Sequence, residues 1–222
     1  MKNTLRLYAS DRFRDAVGPV VEPLGFRWRS TLTGFKKKMH SAEYSVYIDI
    51  SAARQESGID DGQNAVICPM FSIRFPESAM ATASVLTDRI PTTREWPALH
   101  FFFLEACESI SRQYCYCFNT ADVDACMADL VQIGLGDVLQ MFDRIHCEKD
   151  AIRYFIESPT RSIRISAPVL TAIAIVARDF LEALQIAELH LGYRSEFPDR
   201  SFSKLNVALK QAEETIDRGQ FV

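Results

Sequence analysis

Cysteine and histidine are the residues of this chain best suited to chemistry, as metal ligands, nucleophiles or bases. There are six cysteines, Cys68, Cys107, Cys115, Cys117, Cys126 and Cys147, and four histidines, His40, His100, His146 and His190. Cys115 and Cys117 form a CxC within YCYCF, with Cys126, His146 and Cys147 downstream. Zinc wants converging thiolates or imidazoles, usually from paired CxxC or from CxxC with HxxxH, and the chain has no CxxC. Cys115 and Cys117 alternate with Tyr114, Tyr116 and Phe118, which reads as an apolar strand carrying buried structural thiols. No metal and no cofactor are therefore expected. Nucleophilic catalysis needs a nucleophile beside a base that a third group orients. There is no GxSxG and no Cys in a Gly-rich elbow, and neighbours such as His146 and Cys147 point apart on a helix. GLGD, at Gly134 to Asp137, lacks the following Lys-Ser/Thr and the preceding strand of a phosphate loop; it reads as helix punctuation. HEXXH and the kinase motifs are absent.

Three acid pairs remain. Asp60-Asp61 lie in the loop-like GIDDGQN, where solvated turn residues are much commoner than ligands. Asp122 and Asp124 fall in the first turn of a helix and favour the positive end of its dipole. Glu213 and Glu214 belong to an exposed helical face.

The one stretch whose pattern points outward to a partner is GFRWRSTLTGFKKKMH, Gly25 to His40, five cations interleaved with three aromatics and no acid. Such interleaving suits nucleic acid. Alternation on a strand, however, turns Phe26, Trp28 and Phe35 to one side and Arg27, Arg29, Lys36 and Lys38 to the other. The aromatics then go to the core, and the four cations form the candidate binding face. Outward cations also guard a sheet edge against pairing with other chains, and that competing explanation carries the greater weight.

Length and charge bound the rest. The 222 residues fit a single domain, 1–222, with a candidate internal boundary at the proline-flanked IPTTREWP, 90–97. Hydrophobic residues make up 48%, enough for a core without disulfide or metal staples. A balance of 25 basic and 29 acidic residues, net −4, counts against a dedicated nucleic-acid binder. No signal-like segment opens the chain, and the apolar run SAPVLTAIAIVARDFLEAL is interrupted by Arg178 and Asp179 before it could span a bilayer. The expectation is a cytoplasmic protein with free thiols and no membrane attachment.

The elements that must carry these residues read as α+β: an antiparallel sheet in the N-terminal half flanked by helices, then a mostly α-helical C-terminal half. A helix is expected from about Asp11 to Glu22, capped by Ser10, buried along Phe13, Val17, Val20 and Leu24, and kinked or divided at Gly18-Pro19. EYSVYIDISA alternates as a strand with Tyr44, Val46, Ile48 and Ile50 inward, and AVICPMFSIRF is a further strand whose Pro69 suggests an edge or a bulge. A helix is expected from Glu77 to Asp88, while LHFFFLEAC is apolar without a decisive period. Thr120 can cap a helix that Gly134 ends, and Val138, Leu139, Phe142 and Ile145 mark a short second one. Ile152, Phe155 and Ile156 mark a third. Leu170 to Leu191 trace one long stripe ended by Gly192, and Leu205, Leu209, Ala212 and Ile216 mark the last helix, packed against it.

The helix ending in PLGF, the basic GFRWRSTLTGFKKK and the strand YSVYIDIS resemble the start of an uncharacterised family of bacterial α+β domains. ADVDACMADLVQIGLGDVLQMFD is similar to that family's later segment, an acid-rich helix, Gly-Leu and a short helix. The resemblance covers the first half of the chain and Ala121 to Phe142, and Met80 to Cys117 shares nothing with it. Some relatives lie in toxin–immunity loci, which implies a protein that works by binding. The family has no agreed catalytic residues, so none is carried over. The leading expectation is a non-enzymatic protein that binds a protein partner, in the manner of an immunity protein. The alternatives are a nucleic-acid module using Arg27, Arg29, Lys36 and Lys38, and an enzyme with an unrecognised site around Cys115, Cys126, His146 and Cys147.

Overall fold

The computed structural model describes residues 4–52, 65–86, 98–102, 115–157, 166–193 and 203–218. The GIDDGQN loop with Asp60-Asp61 and the boundary expected at 90–97 lie outside the described residues. The architecture is α+β, as the element pattern requires. The antiparallel sheet runs in the order β1 (Arg27–Arg29), β2 (Gly34–Met39), β3 (Ala42–Ala52), β4 (Ala65–Arg74), β5 (Leu99–Phe102), and a further strand, β6 (Cys115–Cys117), also pairs with β4. The chain divides into two compact units that it threads alternately: Met1–Lys38, Tyr44–Ser72 and Phe102–Phe142 form one, and Met39–Glu43, Ile73–Phe101 and Asp143–Val222 the other.

In the first unit, α1 (Thr4–Val21) buries Leu5, Ala9, Phe13, Val17 and Val21 at helical spacing. It starts seven residues before the expected Asp11 and runs on through Gly18-Pro19. Gly18 is the point where the Phe35 ring closes on the helix: a Cβ there would meet Phe35 Cζ at 3.3 Å. This packing holds the segment helical, and the turn of 3₁₀-helix Glu22–Leu24 follows. Val20 and Leu24 are exposed, not inward, because the stripe continues to Val21. Phe13, Trp28 and Phe35 then form one aromatic contact set, with centroids 5.1 to 6.3 Å apart.

Beyond β6 runs a continuous helical stretch made of α3 (Thr120–Asp129), a π-helical turn (Leu130–Gly134) and α4 (Leu135–Phe142). Its cap is Asn119, not Thr120: the Asn119 side chain accepts from the amides of Ala121 and Asp122, and Asp122 accepts from Asn119 N–H, a complete capping box. Gly134 does not end the helix. The Leu135 amide donates to the Leu130 carbonyl, five residues back, and the helix goes on. Among the described residues, Thr120–Phe142 is the stretch long and apolar enough to cross a membrane by length and composition; here it packs on α1 and β6. Phe142 closes the core of this unit against the rings of Phe26, Tyr44 and Phe71.

In the second unit lie α2 (Ala79–Leu86), α5 (Glu148–Glu157), α6 (Ala167–Val176), α7 (Phe180–Leu191) and α8 (Ser203–Asp217). The single long helix expected over Leu170 to Leu191 is two helices. Arg178, in left-handed conformation at φ 62°, breaks it between α6 and α7. The two then pack closely on each other, and α7 packs on α8 as the apolar stripes require.

Pro69 is not on an edge strand, since β4 has β3 on one side and β6 and β5 on the other. The β6 ladder covers only Ala65 to Ile67, so Pro69 stands beyond its end.

Candidate outer-face binding site

The sheet of the first unit has one face turned to its helices and one turned away. Period two assigns the residues. Phe35, Tyr44, Val46, Ile48, Ala65 and Ile67 are buried on the helix side. Register then fixes the other face: Arg27 pairs with Lys36, Trp28 with Phe35, and Arg29 with Gly34. Arg27, Arg29 and Lys38 are exposed and Lys36 is half-buried, so the structure brings all four predicted cations to one side of the β1–β2 hairpin. The aromatic residues go to the core side as alternation requires. Trp28, half-buried, is covered by the Arg14 guanidinium 5.6 Å from its ring, and the Lys37 ammonium sits 5.7 Å over Phe26.

Edge protection does not account for the whole of this set. β1 ends the sheet, so Arg27 and Arg29 guard an edge. β1 pairs with β2 only from Gly34 to Lys36, so Lys36 lies on a stretch of β2 flanked by β1 and β3, while Lys38 stands beyond the end of the β1 ladder.

The same face carries residues that the candidate set omits. Tyr47 and Asp49 alternate with Tyr44, Val46 and Ile48, so β3 turns them outward, and this was readable from EYSVYIDISA. Thr31, Thr33, Tyr47, Asp49 and Met70 line a shallow cleft of about 490 Å³ beside the hairpin. Burial, with the charges of Cys68 and Asp49 adding to it, raises the Tyr47 phenol well above its ordinary pKa, so it stays a neutral donor. Tyr116, opposite Val66, and Phe118 are 63% and 64% exposed. They were expected to share an apolar strand face; that face is the outer one, and it is Cys115 and Cys117 that point to the helices. Four strand spacings separate β1 from β6, about 19 Å. The face is thus cationic at one end and aromatic at the other, with Tyr47 and Asp49 between.

The remaining chemistry-bearing residues form separate groups. Asp124 accepts from Tyr8 Oη at 3.0 and 3.1 Å and from Arg12 Nε at 2.5 Å, tying α3 to α1. The bond from Arg12, opposed by desolvation and joined by Tyr8, holds the Asp124 pKa below its ordinary value. Burial raises the Cys68 and Cys117 thiols to about 12. In the second unit, the rings of His40 and His146 meet edge to face at 5.2 Å, and Ser41 Oγ donates to the His146 carbonyl. Asp150 accepts from the amides of His146 and Cys147 at 3.0 and 3.2 Å. Desolvation raises the Asp150 pKa, but these bonds and one from the Cys147 thiol outweigh it and leave it lowered. Cys147 therefore points its proton at a carboxylate. Glu213 accepts from Tyr193 Oη, and Glu214 pairs with Arg218, both ordinary helix-surface roles. Among the described residues no three of His, Cys, Asp and Glu converge as a metal-holding group.

Comparison with known proteins adds no relative: no family model, no curated protein and no solved structure matches the chain.

Proposed function

We propose that this chain is a non-catalytic binding protein that presents Arg27, Arg29, Lys36 and Lys38 to the acidic surface of a protein partner. The observation that carries the reading is the gathering of the four cations on one side of the β1–β2 hairpin, with Lys36 on a stretch flanked by β1 and β3 where edge protection gives no reason for an outward cation. Cations gathered on one face are complementary to an acidic surface on a partner. Inhibition of a bacterial toxin, the form suggested by the resemblance of the PLGF helix and basic hairpin, gives that partner a concrete identity, and the cytoplasm is where such inhibition would act.

The test is a comparison. A tagged copy should retain a specific protein from lysate of the source cell or a neighbouring strain, through a surface rich in Asp and Glu. The fourfold variant Arg27→Glu, Arg29→Glu, Lys36→Glu, Lys38→Glu should lose it. No retained protein, or one held equally by the variant, overturns the proposal.

The outward Tyr116 and Phe118 favour a second reading, a single nucleic-acid strand laid across the face with bases on the aromatics and phosphates on the cations. Four phosphate contacts predict an affinity that falls about 50-fold between about 50 and 200 mM salt. Fluorescence anisotropy with a labelled oligothymidylate measures this, and absence of binding at the lower salt removes the reading.

A further inference from the structure

The inward face of β6 gathers thiols that the binding reading leaves unused. Cys115 and Cys117 are laddered to Ile67 and Ala65, both fully buried, so both thiols point under the helix that packs on β6. That helix is α3, and its buried stripe of Val123, Cys126 and Met127 brings Cys126 down onto the strand. The Cys126 thiol donates a hydrogen bond to Cys115. The three differ in exposure: Cys126 is 5% exposed and Cys117 1%, while Cys115 is half-buried.

We propose that Cys115 and Cys126 form a reversible intramolecular disulfide, driven by a hydroperoxide, that ties β6 to α3. Geometry selects this pair. Cys117 is two residues from Cys115 on one extended strand, so their Cα atoms stand about 6.7 Å apart with parallel side chains, at the limit of what a disulfide spans. The Cys117 sulfur instead lies 3.7 Å from the Cys115 carbonyl oxygen. Cys68 follows Ile67 on β4 and so faces the other side of the sheet. Cys126 comes from a different element and approaches Cys115 across the helix–strand contact, the arrangement in which two Cβ atoms can close without distorting a strand.

The chemistry balances in two steps. The Cys115 sulfur attacks the hydroperoxide, ROOH, and becomes a sulfenic acid as ROH leaves. The Cys126 sulfur then displaces the hydroxyl, its proton leaving with that group as water, and the S–S bond forms. Cys126 is suited to the second role by its place on the buried stripe of α3 that packs on β6 beside Cys115. The capping box at Asn119 and Asp122 fixes the turn between the two, so the reduced state already holds the approach.

The experiment treats reduced full-length protein with stoichiometric hydrogen peroxide, alkylates it, and digests it without reductant at Asp122 and Asp124, which separates Cys115 from Cys126. The expected result, with alkylation and titration done after denaturation, is a bridged Cys115–Cys126 peptide pair that dithiothreitol separates, with Cys117 fully alkylated and the thiol titre down by two. Cys115→Ser and Cys126→Ser should each abolish the bridge, and Cys117→Ser should keep it, with circular dichroism confirming that each variant folds. The wild-type map decides the matter even where a variant does not fold. A bridge from Cys115 to any other cysteine, a bridge between molecules, or sulfinic acid at Cys115 with Cys126 still alkylated overturns the proposal.

Discussion

Gly34 is where the cationic hairpin meets the rest of the sheet, and replacing it with alanine tests how β2 is held. A Cβ at this position would stand 2.5 Å from the Val46 carbonyl oxygen and 2.7 Å from Tyr47 Cα, and would overlap Tyr47 Cβ. Ordinary contact begins at 3.4 Å, so the two strands must part by about 0.7 to 1.0 Å, and the obstructing atoms are backbone or a Cβ fixed to it, which no rotamer change removes. Such a shift also stretches the bond from Ile48 N–H to the Thr33 carbonyl, already 3.3 Å long. Overpacking of about 2 kcal/mol and the loss of about 1 kcal/mol from that bond give about 3 kcal/mol in all. For a chain of this length Gly34→Ala should therefore lower Tm by roughly 6 to 12 °C. Thermal unfolding followed by circular dichroism measures it, with Gly136→Ala as the control. Nothing lies within 4 Å of a Cβ at Gly136, which sits on α4, so there the gain in helix propensity should raise Tm by roughly 2 to 4 °C. A Gly34→Ala protein melting within about 2 °C of wild type, or above it, would refute the strand-contact argument.

Asn119→Ala removes the acceptor for two amides of α3, and loss of the cap should cost about 1 to 2 kcal/mol, read as a lower midpoint in urea at unchanged slope. Asp124, whose folded pKa lies below its unfolded value, contributes stability in full above the unfolded value and loses it as pH falls through the folded one. Asp124→Asn should therefore flatten the stability profile below about pH 4, and an unchanged acid limb would count against the Arg12–Asp124 bond. Burial lowers the His190 pKa, so its imidazole should titrate below 6.5 by NMR, and acidification through that range should favour the unfolded chain; a midpoint above 6.5 contradicts the burial.

How much of this was legible follows from how much each pattern discriminates. EYSVYIDISA alternates apolar with polar, and GFRWRS with GFKKKM alternates aromatic with cation, so each could sit only one way up, and the four cations and the helix-side aromatics were readable. YCYCF is apolar on both faces. Alternation shows a strand there without choosing its side, and the choice came from the pairing of Cys115 and Cys117 with buried Ile67 and Ala65. The thiol pair was hidden for the same reason, since only packing of α3 on β6 brings Cys126 to Cys115. Helix ends fared worst. Gly18-Pro19 and Gly134 are breakers by local preference, yet a ring closing on Gly18 and a widened turn before Leu135 carry the helices through. Arg178 carries no breaking signal, and the chain turns there because α6 and α7 gain more by packing on each other than by continuing.

The widened turn at Leu130–Gly134 has a consequence for which deletions the helix can accept. One extra residue in a turn rotates everything after it by about 100° relative to an unbroken α-helix. The buried stripes through Leu130 and from Leu135 onward nevertheless face one core, so this turn absorbs a residue that a regular helix would have no room for. Removing either Gln132 or Ile133, both exposed, would let the turn tighten to α-helix and keep Val138, Met141 and Phe142 in place. Removing a residue anywhere else between Asn119 and Phe142 has no slack to draw on. The length of this helix is thus adjustable by one residue, at one turn, without moving the core that Phe142 closes.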